Sequence, residues 1–383
     1  MMKILLIGSD SGMSGAGLSM IALAEELEKI NYKVIMVVRR GHTESILSKM
    51  NIRHYVINAQ PWTEPINRSR MKNWIVRVAK KALNVFAYIK MTRLLLKEKP
   101  DIVHINTSTT YVAAKVAAKH GVKIVWHFRE LLEEDFNSKL WNQQKSEELF
   151  NQADHIITIS RCVYQKYRPL LSSDMSIVYN GIDINRYFDS NHDIFENKKI
   201  VVTIAGRINK TKGQLTAIKG MSKFLHIGNN IEFWIVGNGE ESEINKIKEY
   251  AKEKCLCEES IKFLGYIDDM EKIWAKTDIA IVASKYEAFG RVTVEAMAAG
   301  CIVVGANSGG TKELLEDGRG VLFTPEDPID LELKIEHILS HKTEFALKAK
   351  KARDYAATVF TSKKNAAAIA EIYNTILFEH RSE

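Results

Sequence analysis

The chain predicts an α/β protein of two doubly wound domains, each a parallel sheet covered by helices. Short apolar runs alternate with segments of helical period from end to end, the pattern of repeated strand–helix–strand units. At 383 residues, 46% of them hydrophobic, the chain can bury more than one core. No stretch reaches the ~20 apolar residues of a bilayer-crossing helix. The apolar run at 2–8 stops at Ser9, Asp10 and Ser11, too soon for a secretory signal, so a cytoplasmic protein is expected. Four cysteines, Cys162, Cys255, Cys257 and Cys301, make no disulfide framework, and Cys255-x-Cys257 lacks a second ligand pair for zinc; all four read as reduced structural thiols.

Residues 3–7 form the first strand. The loop 8–17 carries Gly12, Gly15 and Gly17 and opens a helix at 18–29. Glycine lets backbone N–H groups approach a phosphate, and a helix start leaves such groups unpaired. A tight turn alone would also call for glycines, and the spacing is not Gly-x-Gly-x-x-Gly. Further strands are read at 33–38, 54–57, 101–106, 122–126, 155–159 and 176–179. The strand ending at Trp126 delivers His127, Phe128, Arg129 and Glu130 to its carboxyl end, where open α/β sheets bind ligands. Asn180-Gly181-Ile182-Asp183 is a turn signature, and the polar stretch 185–198 reads as a linker. The expected division is 1–185, 186–360 and a terminal segment 361–383.

The second half opens with a strand at 200–205 and a loop in which Arg207 and Lys212 bracket the approach to a helix. One forked and one point-charge cation suit a diphosphate. Strands at 233–236 and 261–264 end in glycine-containing loops, the second with Tyr266 and Ile267. The apolar run 278–283 then leads into a loop containing Glu287, with Gly290 at the joint and Glu295 in a helix read at 293–299. A helix start beyond a strand attracts phosphate, and carboxylates accept the hydroxyls of a sugar, which together suggest a sugar joined to a phosphate. An isolated pair of glutamates is more often a solvated helix face. A strand at 302–306, a loop Ser308-Gly309-Gly310-Thr311 before a short helix containing Glu313, a strand at 320–323 and helices at 328–339, 345–359 and 362–378 complete the reading.

Glu287 and Glu295, with Phe289-Gly290 between them and Glu295-Ala296-Met297-Ala298-Ala299-Gly300 closing the helix, resemble the Glu-x7-Glu signature of family 4 retaining glycosyltransferases of the GT-B fold. Gly206-Arg207 with Lys212-Gly213, and Asn180-Gly181-Ile182-Asp183, match the same family. The resemblance runs over nearly the whole chain and is denser in the second half. It implies two Rossmann-like domains facing a cleft, the first on the acceptor side and the second holding a nucleotide sugar, with the last helix crossing back to the first domain. It also implies a hexosyl- or N-acetylhexosaminyl-type transferase. Such an enzyme moves a sugar, from a UDP-sugar by preference, to a glycan or lipid-linked acceptor with retention of configuration, as in bacterial surface polysaccharide synthesis.

The residues that the resemblance points to as catalytic are Glu287, His127, Arg207 and Lys212. Glu295 would hold the nucleotide ribose. Phe289, Gly290, Arg291 and Val292 would contact the donor, Tyr266 and Ile267 its base, and Gly15 and Gly17 would border donor phosphates and acceptor. Arg291 stands where an apolar residue is expected, and either adds a phosphate contact or points outward. Arg129 and Glu130 either pair with each other or shape the acceptor side, and Asn180 either makes a turn or faces the cleft. The family needs no metal and no cofactor besides the nucleotide sugar. No Asp-x-Asp follows a strand here, and Asp268-Asp269 starts a helix instead. Arg207, Lys212 and the helix start at 290–292 would then stabilise the leaving diphosphate. Retention admits a carboxylate nucleophile or front-face attack within one ion pair, and the family leans to the second. The competing class is a non-catalytic nucleotide-sugar-binding partner of another transferase; the joint presence of Glu287, Glu295, Arg207, Lys212 and His127 speaks against it.

The net charge of +7 is unevenly placed: residues 1–183 hold 26 Lys and Arg against 17 Asp and Glu. In 68–99, ten basic residues accompany one acid, Glu98, and Met71, Ile75, Val78, Ala82, Val85 and Ile89 recur at helical spacing with Trp74 and Phe86 beside them. Such a helix either lies on an anionic membrane or packs its stripe on the core and leaves a solvated basic face. The first case would place the protein on the inner face of the cell membrane. No aromatic-interleaved basic platform points to nucleic acid.

Overall fold

The computed structural model describes residues 1–9, 15–50, 52–188, 192–226, 230–254, 256 and 258–378. Gly12, Cys255 and Cys257 lie outside them; Cys162 and Cys301 are free thiols, Cys301 buried. The chain divides into two compact units, Met1–Gly181 with the helix Ser362–Phe378, and Ile182–Thr361.

The first unit holds strands β1 (Lys3–Ile7), β2 (Lys33–Val38), β3 (His54–Val56), β4 (Thr63–Pro65), β5 (Ile102–Ile105), β6 (Lys123–Phe128), β7 (Ser138–Leu140), β8 (His155–Thr158) and β9 (Met175–Ile177). Seven of these form a parallel sheet in the order β3-β2-β1-β5-β6-β8-β9, while β4 and β7 pair antiparallel apart from it. The second unit holds β10 (Ile200–Ala205), β11 (Ile231–Val236), β12 (Ile261–Gly265), β13 (Ile279–Val282), β14 (Ile302–Ala306) and β15 (Val321–Phe323), all parallel, in the order β12-β11-β10-β13-β14-β15. In both sheets the order reverses beside the unit's first strand. Each therefore has a switch point, between β1 and β5 and between β10 and β13, where connections leave in opposite directions and open a crevice at the carboxyl ends.

The central strands are apolar on both faces, as parallel strands covered twice must be. Ile4, Leu6, Val34, Met36, Ile102, Val125 and Ile157 share one core with Ala366, Ile369, Ala370 and Tyr373, so the final helix is a structural member of the first unit. Val202, Ile204, Phe233, Ile235, Ile279, Ile281, Ile302 and Val304 make the second core.

Several boundaries differ from expectation for local reasons. The first helix starts at Gly15, not at residue 18. β9 ends at Ile177 because Tyr179 turns its carbonyl to Asn365 Nδ2 at 2.7 Å. β13 starts after Asp278, whose buried carboxylate accepts the N–H of Val201 at 2.7 Å and that of Phe195. Strand β6 runs through Phe128, so His127 sits inside the ladder opposite Ile157 instead of beyond the strand end.

Candidate active site

The switch point of the second sheet gathers the charged residues. After β10, Asn209 Oδ1 accepts the N–H groups of Thr211 and Lys212 at 3.1 and 3.0 Å, a side-chain turn that folds the loop back on itself. Gly213 follows at φ 72°, and a Cβ there would lie 2.2 Å from the carbonyl oxygen of Ala283, at the end of β13. Only glycine lets the two loops approach so closely. Lys285 N–H donates to the Thr211 carbonyl at 3.0 Å and joins them. The result is an ion pair across the crevice: Lys212 Nζ lies 2.5 Å from Glu287 Oε1, which also accepts from Ser284 Oγ at 2.6 Å. Arg207, earlier on the same loop, is exposed, and its guanidinium has no hydrogen bond or ion pair among the described residues.

Gly290, at φ 95°, is the N-cap of the helix Arg291–Ala298, which begins two residues earlier than expected. Glu295 is only 6% exposed, and burial pushes its carboxyl up. Arg291, one turn earlier, opposes that shift with Nη2 at 3.0 Å from Glu295 Oε1. Arg291 therefore turns towards Glu295 instead of outward. Tyr187 reaches the same carboxyl, and burial followed by the neighbouring Glu295 charge pushes its hydroxyl up to about 12.

The other residues in question divide. Val292 is half-buried, and Phe289 is buried with its ring 5.9 Å from that of Phe360, leaving its backbone as the part able to meet a ligand. Tyr266 is exposed and Ile267 half-buried, just past β12. The hydroxyl of Thr293, in the first turn behind Gly290, is buried without a partner among the described residues, and sequence reasoning passed it over.

In the first unit, Gly15 is exposed and Gly17 buried at the start of the helix Gly15–Lys29. Asn106, past the end of β5, donates to the Ala16 carbonyl at 3.3 Å and accepts Arg129 Nε at 2.7 Å. Arg129 also donates to Asn180 Oδ1 and to His127 Nδ1, the latter at 3.3 Å. Glu130 spends its carboxylate on Thr107 and Ser108, with Thr107 Oγ1 at 2.5 Å and Ser108 Oγ at 2.9 Å. Glu130 Oε2 also accepts the Arg129 backbone N–H at 3.2 Å, and Asn180 anchors the Arg129 guanidinium as well as shaping a turn.

The same contacts fix the histidine tautomers. Arginine can only donate, so His127 Nδ1 is an acceptor and its proton sits on Nε2. His104 Nε2, 3.2 Å from His127 Nδ1, must then carry a proton too, and His104 Nδ1 accepts the Tyr373 hydroxyl at 2.5 Å. The chain ends at His127 Nε2, a buried donor with no partner among the described residues. Burial, followed by the Arg129 charge, keeps both rings neutral: His104 falls to about 3 and His127 well below its ordinary value. His104 and Tyr373 carried no local signal, being 269 residues apart. Among the described residues no group of three or more His, Cys, Asp and Glu is arranged to hold a metal ion.

Two family models match in succession: Glycosyltransferase Family 4 over residues 13–186 and Glycosyl transferases group 1 over 187–358. N-acetyl-alpha-D-glucosaminyl L-malate synthase of Bacillus anthracis is 24% identical over 309 residues, 76% of this chain and 79% of its own. The uncharacterised glycosyltransferase MJ1607 of Methanocaldococcus jannaschii is 26% identical over 205 residues, 48% of this chain and 50% of its own, so the match spans half the length of that relative. The crystal structure of Anabaena Alr3699/HepE in complex with UDP has the same fold, with TM-score 0.81 at 24% identity over 98% of this chain and all of that one. The chain belongs to the family 4 glycosyltransferases of the GT-B fold.

Proposed function

We propose that the protein is a retaining, metal-independent glycosyltransferase that moves a hexosyl or N-acetylhexosaminyl group from a nucleotide sugar, by preference a UDP-sugar, to a glycan or lipid-linked acceptor in bacterial surface polysaccharide synthesis. The observation that carries this reading is the Lys212–Glu287 pair at the switch point of the second sheet, with the unpaired Arg207 on the same loop. A diphosphate arriving there would meet a fork and a point charge, with the N–H groups of the helix start after Gly290 alongside. As Lys212 turns to the phosphate, Glu287 is freed to accept sugar hydroxyls. Glu295 accepts those of the ribose, and Tyr266 and Ile267 border the base.

In transfer, the bond from C1 of the sugar to the diphosphate oxygen breaks, and its electron pair leaves with the diphosphate. The acceptor oxygen bonds C1 from the same face and passes its proton to the departing phosphate oxygen. Arg207 and Lys212 offset the charge that grows on the diphosphate, which is the work a metal would otherwise do. His127 completes the catalytic set with the N–H of its Nε2, and Gly15 and Gly17 border the phosphate or acceptor. The HepE structures are described as complexes with UDP, with UDP-glucose, and with UDP and glucose, which favours a UDP-sugar here. The protein works in the cytoplasm, peripheral to the inner face of the membrane.

The test is thermal unfolding against UDP-, GDP- and dTDP-sugars, followed by assay of the stabilising donor for release of its nucleotide. A ligand at a hundred times its dissociation constant stabilises by ~2.7 kcal/mol. No stabilisation by any of them would overturn the reading. Binding without sugar release or transfer would leave a non-catalytic nucleotide-sugar binder.

A further inference from the structure

The helix Arg70–Glu98 is built the opposite way round from an ordinary surface helix. The stripe it turns to the body of its unit is polar over its first half, at Asn73, Arg77, Lys80 and Asn84, and apolar over its second, at Ala87, Met91, Leu94 and Leu95. These polar groups are stitched to the segment 60–65. Asn73 Nδ2 donates to the Pro65 carbonyl at 3.2 Å, Arg77 pairs with Glu64 at 2.6 Å, Lys80 Nζ donates to the Thr63 carbonyl at 3.1 Å, and Asn84 Oδ1 accepts Gln60 N–H at 2.7 Å. The apolar stripe points away. Trp74 is 63% and Phe86 66% exposed, with Ile75, Val78, Val85 and Ile89 exposed along the same face.

At 3.6 residues per turn cationic residues fall on both borders of that stripe, Lys72, Lys90 and Lys97 along one edge and Arg70 and Lys81 along the other, with Arg93 in line with Ile75. Two shallow depressions flank the helix. One, of about 260 Å³, is lined by Lys90, Arg93 and Lys97 with Tyr55; the other, of about 430 Å³, by Arg68 and Lys72 with Ile75 and Val76. The one acid in this stretch, Glu98, is buried against Arg53 Nη2 at 2.7 Å and puts no negative charge on the exposed face.

A monomeric soluble protein rarely displays an apolar strip of this length. We propose that this face docks in the headgroup layer of an anionic bilayer, its aromatic and aliphatic side chains lying among the upper acyl chains and its bordering Lys and Arg residues on the lipid phosphates. Charge selects this occupant over a second copy of the chain, because two such faces brought together would oppose cation to cation with no carboxylate between them. It also sets the geometry. At 1.5 Å per residue the helix is about 44 Å long. No helix among the described residues is long and apolar enough to cross a membrane, and this one would lie in the plane of the interface. The inference rests on the peripheral placement proposed above and names the face that docks, and vesicle binding tests it apart from sugar transfer.

The test is co-sedimentation of the full chain with vesicles of phosphatidylglycerol or of phosphatidylcholine. Binding to the first and not the second is expected at 0.1 M salt, with loss at 1 M, where the Debye length is ~3 Å. Lys72→Glu/Lys81→Glu/Lys90→Glu should lower partitioning by at least ~100-fold, since each basic residue lost costs roughly a factor of five or more. Lys80 and Arg77 are left alone because they hold the helix to its unit. Trp74→Ala/Phe86→Ala should also release the protein, although it leaves the charge untouched. All five positions are exposed, so the thermal midpoint and nucleotide-sugar binding should not move. Failure of wild type to bind phosphatidylglycerol vesicles at 0.02 M salt would overturn the proposal. So would binding that neither variant weakens, or a soluble dimer that Trp74→Ala/Phe86→Ala splits, which would show the strip covered by a second copy.

Discussion

Removing the ammonium of Lys212 separates a catalytic role from a structural one, because the two predict effects of different size. Lys212 and Glu287 are partly exposed, with side chains 33% and 20% accessible, so their 2.5 Å ion pair is screened. Exposed pairs contribute at most ~1 kcal/mol to stability. For a unit the size of Ile182–Thr361 that is a shift of about 2–4 °C in Tm. A preorganised cation facing charge that develops in a transition state is worth ~3 kcal/mol, a loss of about 150-fold in rate. Lys212→Ala should therefore lower kcat/KM by about two orders of magnitude while melting within a few degrees of wild type. The measurement is nucleotide release from the donor found by thermal stabilisation, beside the melting curve. Coupling adds a second arm. If Lys212 serves only to neutralise Glu287, then Lys212→Ala/Glu287→Gln should recover activity lost in Lys212→Ala; if each group meets the donor, the double variant should be at least as slow. A folded Lys212→Ala with near-wild-type turnover, or a recovered double variant, would refute the assignment.

The other carboxylates and the buried histidines make further predictions. Glu287→Gln should abolish transfer with little change in nucleotide affinity, whereas Glu295→Gln should weaken nucleotide binding more; equal effects on calorimetric affinity would argue against separate roles. Arg291→Leu removes the cation that opposes the burial-driven rise of the Glu295 carboxyl, so that group should gain a proton more readily and nucleotide affinity should fall, more steeply as the pH is lowered. Unchanged affinity from pH 6 to 8 would count against it. His104 titrates near 3 when folded and near 6.5 when unfolded, so its neutral form stabilises fully above pH ~6.5. That contribution is lost as pH falls towards 3, by up to ~1.4 kcal/mol per pH unit, and His127 adds a loss of the same sign. Urea midpoints of wild type should drop between pH 7 and 5 more steeply than those of His104→Gln; parallel curves would refute this.

The strands of both units were readable from composition because a parallel strand covered on two faces is a continuous apolar run, and such runs at 3–7, 33–38, 200–205 and 302–306 coincide with β1, β2, β10 and β14. Glu287, Lys212 and Arg207 could be picked out because each lies within a few residues of a strand end and the switch point does the rest. The role of Arg291 could not. Its partner is one turn away on a helix whose start was placed two residues late, and that error hides the i, i+4 relation. Thr293 and Tyr187 escaped for a related reason: burial makes a hydroxyl informative, and burial is not a property of local sequence.

Two further features depend on tertiary direction. The proton chain from Tyr373 through His104 to His127 links the last helix to two neighbouring strands, and no spacing rule spans 269 residues. Periodicity in 68–99 established that one face of the helix is apolar, but a period has no sign: it locates a stripe without saying whether core or solvent receives it. What decides the direction is the opposite face, where Asn73, Arg77, Lys80 and Asn84 recur at spacings of three and four and find backbone and carboxylate partners in 60–65. Such partners satisfy most of the polar groups of that stripe, leaving Asn73 Oδ1 and Arg77 Nε buried without one among the described residues. Once that stripe is buried, the apolar stripe has nowhere to go but outward, and the polar residues at helical spacing are the sequence signal for an apolar face left uncovered.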